Sequence, residues 1–249
     1  MSLSESTVDR RSGLLNVIDV IVAPKAAFER VRIVPTWGWA FLVTSLLGIA
    51  GTLVIEPALL HAMDKSLPAQ LAANPQIAKM PADQQAAAIA KALAFSKLVA
   101  QFSWIFVPVS LLFIGVVQAL AMTIANAAGG GDGSFVKYFA LSETIMIVGT
   151  GLSSLVLALI VAIKGSAAFD SPNAIQSAIP SLGLLVPGLK GALGGFLGAL
   201  NVFYLWATAL LAIGMMVVGR IKAGTAWSTA VVLLLLTAAF AAYGAAPQG

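Results

Sequence analysis

Five apolar runs, at roughly 37–57, 102–125, 139–163, 197–219 and 227–245, occupy most of this 249-residue chain. A bilayer core about 30 Å thick takes about 20 residues of helix to cross, and only a helix satisfies its own backbone amides and carbonyls in lipid. Each run has roughly that length, and Trp227 to Phe240 carries no charge. The expectation is an all-α polytopic integral membrane protein. It would be a bundle of five transmembrane helices, with one polar excursion after the first span and another after the third. Charged residues make up only 10% of the chain, against about 25% in soluble domains, and mean hydropathy is +0.96.

Where the bases fall predicts an orientation. Arg10, Arg11, Lys25, Arg30 and Arg32 precede the first span, and Lys137, Arg220 and Lys222 belong to short loops on that same side of a five-crossing chain. Lys65, Lys79, Lys91, Lys97, Lys164 and Lys190 lie in the long excursions, which weigh little in the positive-inside rule. A cytoplasmic N-terminus in the cell inner (plasma) membrane follows, with Ala245–Gly249 outside. Met1–Gly13 has no short apolar core with a cleavage site, so the first span is expected to act as an uncleaved anchor. Nucleic acid is not an expected partner, because the bases are divided between two sides without interleaved aromatics.

The chain has no cysteine and one histidine, His61. Disulfides and thiolate chemistry are excluded, and no metal or other cofactor is expected. His61 with Asp64 and Glu56 reads as a solvated loop.

Within the chain, 1–13 reads as a flexible N-terminus and 14–249 as a single membrane domain. Leu14, Leu15, Ile18, Ile21 and Val22 recur at helical spacing ahead of Pro24, which gives one or two interfacial helices over 14–34. Phe28, Arg30, Arg32 and Trp37 are the candidate membrane-surface residues, each base worth about 1 kcal/mol against anionic headgroups. Pro81, Asp83 and Gln84 form a helix start, and the pattern predicts one helix from about 82 to about 126, on the order of 65 Å long and kinked at Pro108. The segment 188–198 overlaps two small-xxx-small pairs, Gly191 with Gly195 and Gly194 with Gly198. Close helix packing and a re-entrant break both account for them.

Glu143 is the only acidic residue well inside a span, and a charge at mid-membrane costs about 2.5 kcal/mol or more. A functional reading makes it a proton or cation site, with Gln118, Thr150 and Asn201 as candidate companions. A structural reading pairs it with Lys137, Arg220 or Lys222, or hydrogen-bonds it to Gln118. The loop 129–133, Gly-Gly-Gly-Asp-Gly, is no phosphate cradle, because it follows a membrane helix and lacks the Gly-Lys-Ser/Thr ending.

The stretch from Ile18 through Pro24-Lys-Ala-Ala-Phe28 to Val31, followed by Pro35-Thr-Trp-Gly-Trp39, resembles the amphipathic lead of bacterial Yip1-domain proteins. The glycine loop before Ser134-Phe135 and the run Asn201 to Trp206 with Leu210 to Gly214 extend the resemblance over nearly the whole chain. It implies a five-helix membrane bundle with a cytoplasmic N-terminus. Eukaryotic relatives serve vesicle traffic by binding lipidated small GTPases. Their Asp-Leu-Tyr-Gly-Pro signature is missing here, so a GTPase partner is not carried over.

The functional expectation is a non-enzymatic membrane scaffold or accessory subunit in a transport or envelope complex, with the lipid bilayer and other membrane proteins, or a homo-oligomer, as partners. The rival is a small transporter or channel using the seam around Glu143. An intramembrane enzyme is not expected, since no nucleophile–base or paired-carboxylate set falls at one depth.

Overall fold

The structure, a computed structural model, describes residues 3–186, 188–189 and 191–245, with side chains from Gly13 onward. Among the described residues there is no strand, only one antiparallel bridge between Ser181 and Asn201. Four helical stretches are long and apolar enough to cross a membrane: Gly38–Ala72, Ser103–Gly129, Phe135–Lys164 and Ala223–Ala245. The fifth apolar run holds a shorter helix, Val202–Val218, of 17 residues and about 25 Å.

Two helices precede these, α1 (Leu3–Val22) and α2 (Pro24–Ile33), where one or two interfacial helices were expected over 14–34. Pro24 divides them: it starts α2 at the one position where a missing amide costs nothing. The flexible stretch expected over 1–13 is helical from Leu3, while Met1 and Ser2 lie outside the described residues.

α3 (Gly38–Ala72) runs 35 residues, about 52 Å, through Pro57 and Pro68, well past the end of its apolar run at 57. A short α4 (Pro75–Ala78) turns the chain into α5 (Ala82–Gln101). The single helix expected over 82–126 is interrupted, and not at Pro108. It breaks at Phe102 and a 3₁₀ turn, Ser103–Ile105, before α6 (Phe106–Gly129). The break precedes the proline because the first turn of a helix has no intrahelical acceptor for its amides. Restarting at Phe106 puts Pro108 in that turn, where its lack of an N–H is harmless. Ser103 Oγ donates to the Ala100 carbonyl at 2.7 Å, satisfying one acceptor at the broken end.

The third span consists of α7 (Phe135–Met146), a π-helical turn (Ile147–Leu152) and α8 (Ser153–Lys164). Gly149 and Gly151 let this wider turn fit between neighbours. A Cβ at 149 would stand 3.2 Å from Ala207 Cβ, and one at 151 would stand 3.1 Å from Leu47 Cδ1. Beyond α9 (Pro172–Gln176), α10 (Gly191–Ala199) is separated from α11 (Val202–Val218) by Leu200 and Asn201, and α12 (Ala223–Ala245) follows.

The bundle has two distinct ends. At one, α1 and α2 pack against α7 and α11 beside the loops 130–134 and 219–222. At the other, the distal half of α3 lies against α5 and the segment following α8, around a buried cluster of Ala58, Ala62, Val161, Phe169 and Ile175. The main core between them takes in Val20, Phe28 and Val31 of the lead with Met122, Tyr138, Leu141, Leu210 and Met215.

Candidate intramembrane polar site

α6 and α7, antiparallel because only a short loop joins them, bring Gly115 and Gln118 against Ser142 and Glu143. Glu143 has no exposed surface. Its Oε1 fills the notch that Gly115 leaves by having no side chain, so a Cβ at 115 would overlap that oxygen. Neither carboxyl oxygen has a hydrogen-bond partner. The expected bond between Glu143 and Gln118 is not made; Gln118 Oε1 accepts instead from the hydroxyl of Ser142, the residue next door, at 2.5 Å. Glu143 forms no ion pair with Lys137, Arg220 or Lys222. Arg220 faces Asp132 at 3.7 Å instead.

One turn and more beyond Glu143, the π turn lines a cleft of about 450 Å³ between α6, α11 and α12. Gln118 and Thr150 line it together, with Tyr204, Thr208 and Thr237. Thr208 and Thr237 return their hydroxyls to carbonyls of their own helices, Tyr204 at 2.7 Å and Leu233 at 2.9 Å. Asn201 is not part of this group. It sits at the α10–α11 break, where its Oδ1 accepts from the amides of Phe203 and Tyr204 at 3.0 Å each and caps α11. Around it, Leu182 N donates to Leu200 O and Val202 N to Pro180 O, so the broken span is stitched to the preceding excursion. The four candidate polar residues are therefore divided: Gln118 and Thr150 share a cleft, Glu143 lies beside it in a closed interface, and Asn201 is a helix cap.

The glycine segment is both broken and packed. Gly195 meets α12 directly, its Cβ position 2.6 Å from both Ala241 O and Ala245 Cβ. Gly191 opens α10 at a φ of +67°, Gly194 faces Leu189 O of the preceding turn at 2.7 Å, and Gly198 has nothing within 4 Å. Of Gly194, Gly195 and Gly198, Gly195 alone thus makes the contact with α12.

The lead does not present Phe28 to a membrane surface. Phe28 is wholly buried with Ala27 and Val31, where α2 packs on α11, because the apolar face of α2 finds a protein partner before it finds lipid. Arg30 turns back to α1, pairing with Asp19 and donating from Nε to Asn16 Oδ1 at 2.8 Å. Arg32 is half-buried, and Trp37 packs edge-on to Phe41 and Phe139 with ring centroids 5.9 and 5.3 Å away. From Gly13 onward, the large apolar residues that α1 leaves exposed are Leu14, Leu15, Ile18 and Val22.

A second polar centre went unnoticed in the sequence. Asn126, buried near the end of α6, donates from Nδ2 to the carbonyls of Gly131 and Gly133, both at 3.2 Å. Its Oδ1 accepts from Gly133 N at 3.1 Å and from Tyr138 Oη at 2.7 Å. Asp132 N donates to Gly219 O at 2.9 Å, which ties this loop to the one joining α11 and α12. A Cβ on Gly219 would overlap the Tyr138 hydroxyl, so glycine is required there. The available signal was an asparagine set just before a run of glycines that cannot satisfy their own backbone groups.

Among the described residues, no three His, Cys, Asp or Glu side chains gather where they could hold a metal ion. No family profile, curated protein or solved structure matches this chain.

Proposed function

We propose that this chain is a non-catalytic membrane scaffold or accessory subunit, which holds a partner protein or further copies of itself through the arm built from the distal half of α3 and α5. The observation that carries the reading is α5 itself: of its 20 residues none is buried. Phe95 is 67% exposed, and Leu98, Val99 and Phe102 are about half exposed. Phe95, Leu98 and Val99, at spacings of three and four, form one ridge on the arm. α6 alone has 24 residues, about 36 Å, enough to fill the hydrocarbon core, so α5 stands beyond it in water. An exposed apolar ridge in water is the kind of surface that protein recognition uses. Lys97, paired with Asp64 at 2.5 Å, fixes the arm's own hairpin rather than its ridge.

The same reading takes α11 as a fifth crossing. It places the N-terminus in the cytoplasm and the C-terminus outside the cell inner membrane, and it keeps the Yip1-domain resemblance as the family proposal. The polar residues of the seam support cohesion more than passage, since Ser142, Asn201, Thr208 and Thr237 all spend their bonds within the bundle. The unpartnered carboxyl of Glu143 favours the rival reading, a transporter. Glu143→Gln would then abolish a proton- or ion-dependent flux in liposomes, and an unchanged flux removes that reading.

The scaffold reading is tested by gentle purification at native expression level and mass measurement of the intact complex. A stoichiometric partner or a homo-oligomer is expected, and the double variant Phe95→Asp, Leu98→Asp should release it without lowering the melting temperature. A clean monomer contradicts the reading.

A further inference from the structure

The cleft between α6 and α12 has a shape that cohesion does not require. The two helices touch at one end, where a Cβ on Gly129 would stand 3.2 Å from Thr225. They part toward Phe113 and Phe240, which are 69% and 77% exposed and form the lips of an opening that faces lipid. The volume of about 450 Å³ falls within the range of small-molecule sites, about 300–1,000 Å³. The walls are apolar, but polar groups face the space inside. Gln118 gives its carbonyl to Ser142, which leaves its amide N–H groups without an acceptor among the described residues. Thr150 Oγ1, on the π turn, and Tyr204 Oη likewise have none.

Depth decides what such a site takes. Gln118 lies midway along α6, about 17 Å from either end, and Thr150 lies midway along its span, about 22 Å from either end. Ester carbonyls of phospholipids stay at the edge of the hydrocarbon core, about 15 Å from the midplane, and do not reach these donors. A bare alkyl chain reaches them and offers nothing to accept. We infer that the cleft binds a hydrocarbon-soluble molecule that carries carbonyl-type acceptors of its own into the interior of the bilayer, entering sideways between Phe113 and Phe240 and seating one acceptor on Gln118 and another on Thr150, which lies eight residues, about 12 Å, beyond the Ser142 that Gln118 bonds. This site is independent of the α5 ridge, and a scaffold and a ligand-regulated scaffold are both compatible with it.

The test compares two probes of matched size, decyl-benzoquinone and decylbenzene, binding to the full chain in nanodiscs, each corrected for its partition into protein-free discs. Saturable one-to-one binding of the quinone is expected, about three- to five-fold tighter than the alkylbenzene for each donor engaged. Thr150→Val should narrow that ratio and Gln118→Leu should narrow it as well. Thr150→Val is decisive if loss of the Ser142 bond unfolds the Gln118 variant. Val117→Trp, at the half-exposed wall of the mouth, should abolish saturable binding of both probes, whereas Thr229→Val, outside the cleft, should leave it intact. Equal affinity for the two probes would reduce the cleft to an acyl-chain groove and overturn the inference, and so would binding indifferent to Val117→Trp.

Discussion

Replacing Asn126 with Ala should be far more damaging than removing the one hydroxyl it holds. The side chain makes four hydrogen bonds from a site only 6% exposed: two to loop carbonyls, one from a loop amide and one from Tyr138. At about 0.6 kcal/mol per polar contact in membrane helix bundles, four bonds amount to about 2.4 kcal/mol. Stranding the Tyr138 hydroxyl and the Gly133 amide raises the loss to about 4 kcal/mol. For a chain of this size 1 kcal/mol moves the melting temperature by about 2–4 °C, so Asn126→Ala should lower it by about 8–16 °C. Tyr138→Phe keeps the ring in the core and breaks one bond, for a drop of about 1–2 °C. Thermal unfolding in a single detergent, followed by light scattering and by near-ultraviolet circular dichroism, measures both. The reasoning fails if Asn126→Ala is no worse than Tyr138→Phe, because the clasp would then be an accident of loop packing.

Phe28→Ala should cost about 3–5 kcal/mol as a core truncation, while Arg32→Ala stays within about 0.5 kcal/mol; the same unfolding assay separates a packed lead from a membrane-surface one. Gly195→Leu should drive α10 off α12, seen as new protease sensitivity in the segment 165–200 with the rest of the chain intact. Gly115→Ala should destabilise by about 1–3 kcal/mol through overlap with Glu143, and should be harmless once Glu143→Ala has emptied the notch; a persistent penalty in the double variant would contradict the assigned contact.

What the sequence conveyed, and what it did not, follows from the range over which each signal acts. The apolar runs report contact with lipid, a property of each segment alone, so the long helices were legible, the last of them to its end at Ala245 though it starts at Ala223 rather than Trp227. Where two segments compete for one partner, the pattern misleads. Phe28 shows the periodicity of a surface helix, yet nothing local says whether its apolar face meets lipid or α11. A kink at Pro108 was expected and the break falls at 102–105 instead, because a proline specifies where an amide is missing and leaves the helix free to restart upstream. Glu143 stood out by its cost, but its neighbours Gly115 and Ser142 became meaningful only once α6 lay beside α7. Asn201 looked like a seam residue and is a cap, since the break at Leu200 was hidden by the continuous apolarity of 197–219. The π turn at 147–152 leaves no mark in hydropathy, and the cleft it lines with Thr150 was invisible for that reason.

Because the chain has no cysteine, single cysteines report side-by-side accessibility without background. The most direct test introduces Asp83→Cys or Asp170→Cys at the arm end, and Lys25→Cys or Ser134→Cys at the clasp end, and labels intact spheroplasts with a membrane-impermeant maleimide. All four positions are solvent-exposed. Labelling of the first pair in intact spheroplasts, and of the second pair only after lysis, is the expected result for a bundle that crosses the membrane with its arm outside. Labelling of both pairs from the same side would contradict it.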